Sequence, residues 1–163
     1  MKTLFLVRHA KSSWDNMGLS DFDRPLNDRG FADAPSMGNF LKGLAVRPDL
    51  ILSSPAKRAF STANLIAKEI GYNNTIQTDQ GIYHANTREL MLILTVQDNN
   101  HNSIMMVGHN PGFTDFCNKL TGDFIDNMPT CSICRIDFDV DSWTEISFGT
   151  GNKIFFQYPK GLS

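Results

Sequence analysis

Residues 2–10 read Lys-Thr-Leu-Phe-Leu-Val-Arg-His-Ala, and they constrain this chain more than any other stretch. Residues 3–7 form an unbroken apolar and β-branched run. It suits a buried strand, although so short a run is not separated from a buried helix by periodicity alone. The run stops abruptly at Arg8 and His9. In an open α/β sheet, ligands sit just beyond the carboxyl ends of the strands. A cation and an imidazole at that point are placed for chemistry. Taken alone, they could equally be polar residues closing a strand, so the rest of the chain must decide.

The pattern of strand followed by helix then repeats. After a polar loop over residues 11–23, Asn27 is a good N-cap. Phe31, Ala34, Met37, Phe40, Leu41 and Leu44 follow at helical spacing, with Pro35 tolerated early and Gly43 and Pro48 marking the exit. Residues 50–52 predict a second strand. Ser54 as N-cap and Pro55 as first helical residue predict a helix to Ile70, stopped by Gly71. Residues 75–77 predict a third strand, and Thr87 a cap for a helix over 88–96. Residues 103–107 predict a fourth strand, followed by Asn110 as N-cap and Pro111 at the start of a helix reaching about Leu120. From Thr130 the period changes to two, so 131–138, 143–148 and 153–158 read as strands joined by Asp- and Gly-rich turns. The expectation is one α/β domain over 1–163, with helices on both faces of a mostly parallel sheet and antiparallel strands at its C-terminal edge.

Charge and composition narrow the function. The 163 residues carry a net charge of −2, which argues against a general nucleic-acid or membrane-surface binder. Any anion site must therefore be local. The apolar run after Lys2 is too short for a signal peptide, and no stretch approaches transmembrane length. Three cysteines without a signal suggest free thiols and a reducing compartment. The chain is expected to be cytoplasmic.

Three strands end in the same kind of residue. The first ends in Arg8-His9, the second in Ser53-Ser54-Pro55-Ala56-Lys57-Arg58, and the fourth in Gly108-His109-Asn110-Pro111. If these strands are parallel neighbours, two arginines and two histidines meet at one sheet edge. Such a group suits a phosphoryl dianion, since guanidinium matches phosphate bidentately. Arg58 falls in the first turn of its helix, where the macrodipole disfavours a cation. His109 precedes a helix N-terminus, whose free amides favour an anion, and Asn110 beside it is a further candidate phosphate contact.

Leu6-Val7-Arg8-His9-Ala10, Ser53-Ser54-Pro55-x-x-Arg58-Ala59-x-x-Thr62-Ala63 and Val107-Gly108-His109-Asn110-Pro111 resemble the three signature segments of the histidine phosphatase superfamily. Arg24-Pro25-Leu26-x-x-x-Gly30 and Tyr83-His84-Ala85 are similar to its short phosphohistidine phosphatase, or SixA-like, branch. Ala10 departs from the glycine that much of the superfamily has there. The resemblance implies a phosphoglycerate mutase-like three-layer α/β/α fold. It also implies that His9 is the nucleophile, with its second ring nitrogen donating to a carbonyl or carboxylate. Arg8, Arg58 and a protonated His109 would hold the phosphoryl oxygens, and neither metal nor cofactor would be needed. In the family the proton donor is usually an acid. Asp21 is the first candidate because its loop should overhang the pocket; Glu89 is the second and His84 the third.

Other signals carry less. Cys131-Ser132-Ile133-Cys134 lacks the second ligand pair that a zinc site needs, so these cysteines read as structural. His101 reads as a turn residue, and Phe155, Phe156 and Tyr158 as core and edge. Three functions remain: hydrolysis of phosphohistidine on a protein partner, hydrolysis or mutation of a small phosphometabolite, and non-catalytic phosphoryl binding. An intact His9 argues against the last.

Overall fold

Odd- and even-numbered residues of the central strands face different helices, and this alternation builds the fold. A computed structural model describes residues 1–162. Its strands are β1 (Lys2–Arg8), β2 (Leu50–Ser53), β3 (Gln77–Thr78), β4 (Ser103–Gly108), β5 (Ile133–Phe138) and β6 (Asn152–Gln157). Its helices are α1 (Asp28–Gly43), α2 (Lys57–Ile70), α3 (Thr87–Thr95) and α4 (Gly112–Thr121). Phe5, Val7, Ile51, Met105 and Val107 pack against α1 and α2, on Ala34, Met37, Leu41, Ala63 and Ile66. Leu4, Leu6, Leu52, Ile104 and Met106 pack on the other face, against Leu90 and Leu94 of α3 and Phe113 and Phe116 of α4. Every strand residue of the buried run is used, which is why β1 and β4 read as continuous apolar stretches.

The sheet has the order β3-β2-β4-β1-β5-β6. The β2–β3, β2–β4 and β1–β4 pairs are parallel, and β1–β5 and β5–β6 are antiparallel. The sequence expectation of a mostly parallel sheet with an antiparallel C-terminal edge therefore holds. The three strands with charged ends are adjacent, in the order β2, β4, β1. Register aligns their ends: Arg8 lies opposite Gly108, and Ser53 opposite Val107. Backbone pairing continues one residue further, from His9 N to Gly108 O at 3.0 Å and from Ser54 N to Val107 O at 2.9 Å.

Several local expectations shift. The third strand is Gln77–Thr78 rather than 75–77. Ser54 does not cap α2. The helix opens at Lys57, and Ser54 Oγ accepts from Ala56 N at 3.2 Å, turning the chain before the helix instead. Thr87 is the first residue of α3, whose cap is Asn86 in a reciprocal capping box with Glu89. α4 begins at Gly112, one residue later than expected. Asn110 still accepts from Thr114, at 3.2 Å from its N and 2.8 Å from its Oγ1. Residues 143–148 are not a strand. Ser142 accepts from Thr144 N, Trp143–Glu145 forms a 3₁₀ turn, and the fully buried Trp143 indole donates to His101 O at 2.7 Å. A hydroxyl that captures a nearby amide competes with the ladder, and here it wins. Cys131 and Cys134 lie in the core, the latter with its sulfur 3.0 Å from that of Cys117. Among the described residues no helix is long and apolar enough to cross a membrane.

Candidate active site

The aligned ends of β1, β2 and β4 bring Arg8, His9, Arg58 and His109 round one cavity of about 230 Å³, which Arg24 also lines. His9 and His109 follow paired residues on neighbouring strands, and their ring centroids are 5.2 Å apart. Each is less than a tenth exposed.

His9 Nδ1 lies 2.7 Å from Ala10 O. A carbonyl only accepts, so Nδ1 carries the proton and donates. Nε2 is left with its lone pair. Ala10 in turn is held by Thr62, whose Oγ1 accepts from Ala10 N at 2.9 Å and donates to Arg58 O at 2.7 Å. The β1 end and the first turn of α2 are thereby locked together. Burial, opposed by the Ala10 hydrogen bond and reinforced by the charges of Arg58, Arg8 and Arg24, pushes His9 down to about 4. At neutral pH this imidazole is uncharged, as a nitrogen nucleophile must be.

His109 Nε2 lies 2.7 Å from Ser54 Oγ. Ser54 Oγ already accepts from Ala56 N, so its own proton is free to go to Nε2. That pairing puts the His109 proton on Nδ1, which is buried and has no partner among the described residues. Burial, followed by the nearby His9 and Arg58, lowers His109 to about 3. The expectation of a protonated His109 is therefore corrected for the resting protein: a ring this buried, beside the Arg58 charge, gives up its second proton. Ser54 orients His109 instead of capping α2, a part that the sequence reading does not assign to it. Its position just past the end of β2, four residues before Arg58, is the sequence signal for that part.

The guanidiniums are held with donors to spare. Arg8 Nη1 donates to Met128 O at 2.8 Å, and its Nε is buried without a partner. Arg58 donates from Nη1 to Asp21 O at 2.6 Å and from Nη2 to Asp21 Oδ2 at 3.0 Å, while its Nε is also buried and unpartnered. Arg24, which heads a quoted motif but carries no site role in the sequence reading, is 8% exposed; it donates to Ser12 Oγ at 2.7 Å and stacks 3.5 Å from the exposed Trp14 ring. Buried donors without acceptors are costly, about 1–3 kcal/mol each. Three of them, Arg8 Nε, Arg58 Nε and His109 Nδ1, belong to residues that share one cavity.

Asp21 does not line the cavity; it reaches the site through Arg58 and Arg24, and not as a poised acid. It accepts from Arg58, from Arg24 Nε at 3.2 Å and from Tyr83 OH at 2.5 Å. The Tyr83 hydrogen bond, with help from Arg58 and Arg24 against partial desolvation, holds its carboxyl down at about 2. A proton donor needs the opposite shift. Asp21 instead supplies the counter-charge that allows Arg58 to sit in the first turn of α2. Tyr83, also unanticipated in this role, ties that carboxylate to the turn before α3 and sets its ring edge-on to His109 at 5.4 Å. Glu89 accepts from Asn86 N in the α3 capping box and lines neither cavity that contains His109. His84, at positive φ and stacked 4.0 Å from Tyr83, lines the outer cavity with His109. Asn110 borders the same cavity as His9, but its amide is committed to Asn127, Met128 and Thr114.

Residues 4–91, more than half of the chain, match the model of the histidine phosphatase superfamily, branch 1. An uncharacterised chloroplastic protein of Arabidopsis thaliana is 31% identical over 157 residues, covering 88% of this chain and 70% of that protein. The candidate phosphohistidine phosphatase SixA of Agrobacterium tumefaciens superposes with a TM-score of 0.84 at 28% identity, over 97% of this chain and 98% of the other. A protein histidine phosphatase SixA solved with tungstate gives 0.85 at 21% identity, over 99% of both chains, and attests the fold. The six-stranded mixed sheet is thus phosphoglycerate mutase-like, and the chain belongs to the histidine phosphatase superfamily, branch 1.

Proposed function

We propose that this protein is a metal-independent phosphatase that acts through a covalent phospho-His9 intermediate, and that its substrate is phosphohistidine presented by another protein. One observation carries the reading. An uncharged His9 with a free Nε2 lines one small cavity with Arg8, Arg58 and His109, each of which keeps a donor without a partner among the described residues. Such donors suit the equatorial oxygens of a phosphoryl group in flight, and preorganised charge is the main source of catalysis in its transfer. In the first step His9 Nε2 bonds to phosphorus and the bond to the leaving group breaks. Water then attacks phosphorus, the P–Nε2 bond breaks, and inorganic phosphate leaves. As the dianion enters, its charge favours a proton on His109, which the empty site disfavours.

The leaving group supports the choice of substrate. An oxygen leaving group needs a proton, and Asp21 is held far from donating one. Phosphohistidine can take a proton on its own ring and depart as neutral imidazole. The site is also reached from open surface on the Trp14 side, as a side chain presented by a protein would require. The test is a comparison of kcat/KM. A phosphohistidine-bearing protein should exceed sugar phosphates and phosphoglycerate. If a small sugar phosphate exceeds every phosphohistidine protein and peptide tried, the protein is a small-molecule phosphomonoesterase instead.

A further inference from the structure

A second cavity, of about 520 Å³, opens next to the phosphoryl pocket and shares His109 and Asn110 with it. It lies between the N-terminal cap of α3 and the exposed face of α4. A phosphoryl group seated on His9 would have room for its leaving group across the shared His109 wall. The charges that meet it there differ sharply from those in the inner pocket. Among the described residues no guanidinium lines the outer cavity, and its charged residues are Asp115 and Lys119.

These two do not neutralise each other. Asp115 and Lys119 are four apart on α4, yet no ion pair joins them. Lys119 Nζ instead turns to Thr87 Oγ1 at 3.3 Å and to the Phe148 ring at 5.7 Å. The exposed Asp115 carboxylate has no hydrogen-bond or ion-pair partner among the described residues. Most of the polar wall is also spent. Asn118 both donates to and accepts from Ile125, and the Asn86 side-chain oxygen takes Glu89 N. Phe124, 84% exposed, adds apolar surface to the lining.

We propose that this basin is the leaving-group subsite, that it receives uncharged or basic polypeptide flanking the phosphorylated side chain, and that Asp115 selects against leaving groups with a second anionic group. The proposal rests on the phosphatase reading above and deepens it. The basin's one lysine is drawn toward Thr87 and the Phe148 ring, whereas a lysine or arginine near the phosphorylated residue meets an unpaired carboxylate.

The experiment measures kcat/KM for three substrates in wild type, Asp115→Asn and Asp115→Lys. They are p-nitrophenyl phosphate, 3-phosphoglycerate and a phosphohistidine peptide with flanking lysines. Reversing one charge at solvent-exposed range should raise the ratio of phosphoglycerate to p-nitrophenyl phosphate by about five- to tenfold. It should lower the ratio of the lysine-flanked peptide to p-nitrophenyl phosphate by a similar factor, and 0.5 M salt should shrink both effects. Asp115→Asn should move both ratios part of the way, which covers a poorly folded lysine variant. Ratios that stay within twofold of wild type in both variants would overturn the subsite. If the wild-type protein turns over no phosphohistidine peptide, the substrate reading fails. The two small phosphates then still decide the role of Asp115.

Discussion

At the scale of the residue, the site is an exercise in keeping two imidazoles neutral among guanidiniums. His9 held at about 4 and His109 at about 3 are both below an ordinary histidine. We expect the His9 ring resonances of the free protein to titrate near pH 4 by NMR; a midpoint near 6.5 would mean that the ring is not shielded from protons as described. Asp21→Asn tests the reassignment of that side chain. A general acid matters more for a poor leaving group. A carboxylate that only orients Arg58 matters equally for all. The variant should lose a similar factor, on the order of tenfold, on aryl and alkyl phosphates. A much larger loss on alkyl phosphates would restore Asp21 as the donor. Ser54→Ala removes the hydroxyl against His109 Nε2, and kcat should fall by roughly tenfold while the fold is kept. An unchanged kcat would show that His109 needs no such orientation.

At the scale of the element, tight approaches fix how loops meet helices. Gly30, in the first turn of α1, packs against the carbonyl of Lys11, and an added Cβ would collide with that backbone oxygen. The same carbonyl accepts from Asn27 N at 3.0 Å, so the collision would strain the link between the α1 cap and the chain after His9. Gly30→Ala should cost about 2 kcal/mol, seen as a Tm lower by roughly 5 °C; an unchanged Tm would show that the loop yields freely. The elements that bear chemistry were legible in the sequence because strand ends in an α/β sheet are marked by where apolar runs stop. Arg8, His9, Arg58 and His109 each stand at or just past such a stop. Ser54 misled because Ser-Pro is also a helix-start signal, and its hydroxyl faces a histidine 55 residues away. Arg24 and Tyr83 stand in motifs that the resemblance quotes, but nothing local says that a loop after β1 and a turn before α3 close on the same carboxylate. Residues 143–148 follow the period of two that marks a strand, and the Ser142 hydroxyl, by capturing Thr144 N, makes a turn there instead.

At the scale of the whole molecule, the parallel core β2-β4-β1 supplies the site, and the two helical layers bury what supports it. Burial of neutral histidines also links global stability to pH. The unfolded chain binds protons on both rings below about 6.5, whereas the folded protein refuses them until about 4 and 3. The unfolded state therefore carries more protons in that window, and stability falls as the pH drops through it. The urea midpoint should be lower at pH 4.5 than at pH 7, and the difference should shrink in His9→Gln and His109→Gln. An equal difference in those variants would place the acid sensitivity elsewhere. The central claim, that the phosphoryl group passes through His9, is tested most directly by trapping the intermediate. Mixing the protein with labelled p-nitrophenyl phosphate and quenching in alkaline denaturant should leave an alkali-stable, acid-labile label that peptide mapping assigns to His9. His9→Ala should show neither label nor turnover. Label on a serine, cysteine or carboxylate, or full turnover by His9→Ala, would contradict the account.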